Sequence, residues 1–93
     1  MKSIEEARKQ IEGIDKQLID LFKERMNAVK DVIEYKKANN LPILDASREK
    51  ELLDKNLKYL NDESLKKYYE IFFEGLLRAS KEYQGEEKWN IMH

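Results

Sequence analysis

Arg8, Arg25 and Lys36 fall in one continuous helical pattern, and the spacing of the last two suits capture of a small anion. Ile4, Ile11, Leu18 and Val32 share a seven-residue repeat, and the member of that series between Leu18 and Val32 is Arg25. A guanidinium placed where an aliphatic side chain is due either lays its stem along the stripe to reach water or binds something inside. Lys36 follows Arg25 by three turns, so the two point the same way within about 20° and lie roughly 16 Å apart along the axis. Two long cationic side chains at that separation can converge on an anion between them. Arg8 sits about 25 Å before Arg25 and is rotated from it by roughly 100°. One straight helix cannot deliver both arginines to one small ligand. Two antiparallel copies can.

A second cluster lies in LPILDASREKELL, residues 41–53. Asp45, Arg48 and Glu49 crowd the start of a helix, where carboxylates cap free amides and complement the dipole. Arg48 is unfavourable there unless an acid holds it or a ligand receives it. Further on, Tyr69, Phe73 and Leu76 form an apolar stripe that Ser80 and Gln84 continue with polar groups. Each feature has an ordinary explanation when taken singly: a cap, a solvated lysine near a helix end beside Lys37, a fraying last turn. Together, three segments place polar groups on or beside a face due for burial, at a cost of roughly 1–3 kcal/mol for each unpartnered group. A small polar anion in the core would satisfy them.

These residues need long helices to position them. The first helix starts near Ser3, with Glu6 three residues on in a capping-box pattern, and Asn39-Asn40-Leu41-Pro42 stops it near Ala38. The predicted helices cover about 3–38, 46–60 and 64–84, with Gly85 as the last stop. Residues 1–85 then form one domain, and the tail 86–93 either packs through Trp89 or frays. The fold class is all-α, with one long helix and two shorter ones. A first helix of roughly 54 Å is too long for the chain's remaining residues to cover. Two copies are therefore expected to intertwine as a helical dimer.

Composition narrows the functions. The 93 residues allow one small domain, and 40% of them are charged, which favours extra core from association. With 18 basic and 19 acidic residues, no bulk field attracts nucleic acid or an anionic membrane. No cysteine is present, which excludes disulfides and thiolate metal sites and suits a reducing cytoplasm. MKSIEEARKQ has no apolar run of the signal-peptide kind, and no segment is apolar for long enough to cross a bilayer. A soluble cytoplasmic domain is expected.

The ordered set of ARKQIEGID, ERMNAVKDVIEYKK, the proline link followed by D-x-x-R-E, and S-x-x-x-Q resembles the all-helical chorismate mutases of the AroQ class, over about residues 4–84. The resemblance implies an intertwined homodimer with two sites, in which Arg8 reaches the partner's site. It assigns Arg25 to a substrate carboxylate and Lys36 to the ether oxygen of the breaking bond. Glu49 would take the ring hydroxyl, with Asp45 and Arg48 shaping that end. Ser80 would lie near a carboxylate, and Gln84 opposite Lys36 at the ether oxygen. The link between the second and third helices is short for the family, and a fused second enzyme is not expected from a chain of this length.

The implied reaction converts chorismate to prephenate in phenylalanine and tyrosine biosynthesis. It is pericyclic, so no nucleophile, metal or cofactor is called for. The alternatives are an isochorismate-pyruvate lyase on the same scaffold, and a non-catalytic helical dimer or regulatory homologue.

Overall fold

The computed structural model describes residues 1–42 and 45–92, with side chains described as far as residue 85. Three helices follow in order: α1 (Ile4–Ala38), α2 (Ala46–Leu60) and α3 (Glu63–Met92). The boundaries arise from local hydrogen bonds. Ser3 Oγ accepts the Glu6 amide at 3.1 Å, and Glu5 and Glu6 place negative charge in the first turn of α1. At the other end the Asn39 side chain donates to the Tyr35 carbonyl at 2.8 Å, and Asn40 turns left-handed at φ 53°. Pro42 then lacks the amide that a further turn would need.

The link from α2 to α3 is equally local. Asn61 takes the left-handed conformation (φ 48°, ψ 43°) and donates its amide to the Leu57 carbonyl. Asp62 Oδ1 accepts both the Ser64 amide, at 2.9 Å, and the Ser64 hydroxyl, at 2.6 Å, which opens α3. The two helices are thus folded back on one another across a two-residue turn.

α3 differs from expectation at its far end. It does not stop at Gly85 but continues to Met92. Glycine ends a helix when it adopts a left-handed conformation, and no glycine here has positive φ. No proline follows, and one glycine inside a helix costs only about 1 kcal/mol relative to alanine. The expectation for Trp89 lies outside the described side chains.

α3 is the central element and packs against both α1 and α2. Ile33 of α1 and Phe73 of α3 are the buried apolar residues among those described. Tyr69 stacks on Phe73 with ring centroids 5.8 Å apart, and its hydroxyl accepts from Asn56 Nδ2 of α2 at 2.8 Å. This bond and the ring stack fasten α2 to α3 below the turn.

The chain measures 55 × 27 × 15 Å with a radius of gyration of 16.7 Å. A compact chain of this length would have a radius of about 12 Å. The heptad stripe of α1 lies open: Ile4, Ile11 and Leu18 are 65%, 56% and 44% exposed. An apolar groove of about 410 Å³, lined by Leu18, Ile19, Leu21, Phe22, Phe72 and Leu76, opens beside it and ends at Arg25. None of the described helices is long and apolar enough to cross a membrane.

Tyr69→Phe removes the acceptor for Asn56 while keeping the ring stack. It should lower stability by about 1 kcal/mol, read as a lower urea midpoint with an unchanged slope.

Candidate active site

All three helices contribute to one cavity of about 140 Å³, and each does so at helical spacing. α1 presents Arg25, Val29, Val32 and Lys36; α2 and its cap present Asp45, Arg48, Glu49 and Leu52; α3 presents Leu77, Ser80, Lys81 and Gln84. Intervals of three and four residues keep each set on one face. The valines and leucines supply apolar wall. Seven of the eight polar residues singled out in the sequence are brought together here, and Arg8 is not. A larger depression, about 540 Å³ at the α2–α3 turn, contains none of the eight.

Arg25 resolves the break in the stripe. Its Nη1 donates to Ser80 Oγ at 2.6 Å, and Ser80 is only 5% exposed. The Ser80 hydroxyl in turn donates to the Leu76 carbonyl one turn back, at 2.9 Å. With its proton committed to the helix backbone, Ser80 offers its lone pairs to the guanidinium. The fraying that could explain Ser80 and Gln84 does not apply, because α3 continues for two turns beyond Gln84. Gln84 Oε1 is buried with no hydrogen-bond partner among the described residues. An amide turned over about its last torsion exchanges acceptor for donor at that point, so Gln84 can address a ligand in either sense.

The start of α2 combines a cap with a charged wall. Asp45 Oδ1 accepts the Ser47 hydroxyl at 2.7 Å and the Arg48 amide at 3.1 Å. The Ser47 hydrogen bond, then the Arg48 amide, and to a lesser degree the Lys36 charge hold the Asp45 carboxyl below its ordinary pKa. Lys36 of α1 thus acts electrostatically on the cap of α2. Arg48 lies 3.7 Å from Glu51, a loose pairing, and also lines the cavity. Glu49 is held from across the cavity: Lys81 Nζ lies 3.1 Å from its Oε1.

Lys81 is the site residue that sequence patterning does not single out. Its spacing from Leu77 and its place beside Ser80 put it on the cavity face of α3, a signal present in the chain but no different from that of any surface lysine. Counting it, Arg25, Lys36, Arg48 and Lys81 face Asp45 and Glu49, a formal surplus of two positive charges. The whole chain carries −1. A small site of this sign suits a doubly negative guest with polar groups along its length.

Comparison with known proteins bears directly on that guest. The family model described as "Chorismate mutase type II" matches residues 7–85. The chain belongs to this family. Membership places it among the isomerases, in aromatic amino acid biosynthesis. It is 31% identical over 91 residues to a chorismate mutase of Methanocaldococcus jannaschii, with 92% of each chain covered. It is also 40% identical over 63 residues to a bifunctional chorismate mutase/prephenate dehydratase of Aquifex aeolicus. That match takes in 68% of this chain but spans only 17% of the Aquifex protein. No solved structure matches the chain.

The Asp45 cap has a pH signature. Because the folded pKa lies below the ordinary 3.8, the stabilisation is fully present above that value and is lost as pH falls through the depressed one. Asp45→Ala should therefore lower the melting temperature at neutral pH. The gap between variant and parent should narrow as pH drops below about 4, as followed by circular dichroism.

Proposed function

We propose that the chain rearranges chorismate to prephenate in a cavity that a second copy of the chain completes. The observation that carries this reading is the convergence of Arg25, Lys36, Asp45, Arg48, Glu49, Ser80 and Gln84 from three helices on one small cationic cavity. In the rearrangement a carbon–oxygen bond breaks while a carbon–carbon bond forms, and no proton must move. Two physical tasks follow. The flexible enolpyruvyl arm must be held over the ring, and the negative charge that develops on the ether oxygen must be stabilised.

Arginine–carboxylate pairs perform the first task, because a guanidinium fork grips a carboxylate at two points and fixes its plane. Arg25, steadied by Ser80, takes one substrate carboxylate. Lys36 and Gln84 perform the second by donating to the ether oxygen, where stabilisation is worth about 3–4 kcal/mol per donor in the transition state. Glu49 accepts the ring hydroxyl, while Asp45 and Arg48 shape that end. The chemistry needs no oxidising compartment, and the reading places it in the cytoplasm.

Arg8 enters from the partner. Antiparallel copies of α1 that cross at the exposed Leu18 bring residue 8 of one beside about residue 28 of the other, between the levels of Arg25 and Lys36. The same crossing covers the open heptad stripe and the apolar groove that ends at Arg25. Burial of apolar surface would then drive the association that completes the site.

Two predictions test this reading. Lys36→Ala and Arg25→Ala should each lower kcat/KM for chorismate by about 100-fold or more with the helical fold retained, and isochorismate should be a poor substrate for the parent. The reading fails if either variant turns over at near-normal rates. For the shared site, Arg8→Ala and Arg25→Ala should each be nearly inactive alone. Unfolded together and refolded at equal amounts, they should recover about a quarter of the parent activity, because half of the dimers then carry one intact site of two. No recovery in a verified mixed dimer would mean that Arg8 serves its own chain.

A further inference from the structure

Glu49 has a partner that the assignment above leaves without a task. Lys81 Nζ lies 3.1 Å from Glu49 Oε1, and both side chains line the cavity. The pairs Arg48–Glu51, Lys55–Glu51 and Arg78–Glu82 each join one turn of a helix to the next, whereas Lys81–Glu49 crosses from α3 to α2. Glu49 is the more enclosed member of the pair, its side chain 25% exposed against 46% for Lys81.

Left alone, the Glu49 carboxylate would be a liability in this cavity. It would repel a guest that carries two negative charges, and it could rotate freely about its own torsions. A carboxylate has two oxygens, each able to accept more than one hydrogen bond. A lysine on one oxygen fixes the group's orientation, leaves the other oxygen open and cancels the charge. An arginine in the same place would tend to grip both oxygens.

We propose that Lys81 is a positioning residue for substrate recognition: it holds Glu49 Oε1 so that Oε2 faces the ring hydroxyl, and it neutralises a carboxylate that would otherwise oppose binding of a dianion. This rests on the reaction proposed above. It assigns Lys81 a role through Glu49 and no direct contact with substrate. Because the pair is partly exposed, it adds little to folding stability, so its purpose is read in substrate affinity.

The test is a double-mutant cycle over the parent, Lys81→Met, Glu49→Gln and the double variant, with kcat, KM and melting temperature measured for each. Lys81→Met keeps most of the apolar stem and should raise KM for chorismate about tenfold, with kcat within about threefold and the melting temperature unchanged. In the Glu49→Gln background the same substitution should change KM by no more than about twofold, because no carboxylate remains to hold or neutralise. An unchanged KM in Lys81→Met overturns the proposal. So does an equal loss in both backgrounds, which would put Lys81 directly on the substrate. Calorimetric titration with chorismate gives the same cycle in Kd. Binding without turnover in the parent would therefore sink the reaction and still decide the pair, while turnover without coupling would sink the pair alone.

Discussion

A charged side chain can leave water only if something inside meets its hydrogen-bonding needs, and the hydrogen bond from Arg25 to Ser80 begins to do so. The rest of the arrangement depends on it. Ser80 must be buried, its proton must be spent on the Leu76 carbonyl, and α3 must lie against α1 at that level. A guanidinium carries five donors, and one serine hydroxyl engages only part of that capacity. In the proposed function a substrate carboxylate takes up the donors that Ser80 leaves over. Arg25 also stands where the apolar groove meets the polar cavity, lining both, so one residue marks the boundary between the surface proposed for association and the surface proposed for chemistry.

Charge is sorted within the molecule. The sequence is almost neutral, with acids and bases interspersed along every helix, yet the cavity collects four cations against two carboxylates. Both carboxylates are held: Asp45 by the amide and hydroxyl of its own cap, Glu49 by a lysine from another helix. Cap and site are therefore one construction. The bonds that start α2 also fix the wall of the cavity, which explains how a chain this short can position so many polar groups.

Economy of this kind has a visible consequence in the shape. α3 covers one side of α1, and the exposed residues of the heptad stripe mark the side left uncovered. The only described apolar residues that are fully enclosed are Ile33 and Phe73. So small a core and so elongated a form are what the proposed pairing with a second copy would account for.

Local order is legible in the amino-acid sequence. The helices, the Ser3 and Asp45 caps and the stop before Pro42 depend on hydrogen bonds spanning five residues or fewer, so the chain determines them locally. The heptad stripe and its interruption at Arg25 follow from periodicity alone. The end of α3 departs from the sequence expectation because glycine permits a stop without enforcing one. What tertiary structure decided is which polar groups meet: that Ser80 is the acceptor for Arg25, that Gln84 buries an unsatisfied oxygen, and that Lys81 reaches Glu49. Each of these depends on the angle and depth at which separate helices pack, set by the sum of many weak contacts, and no spacing within one helix encodes it.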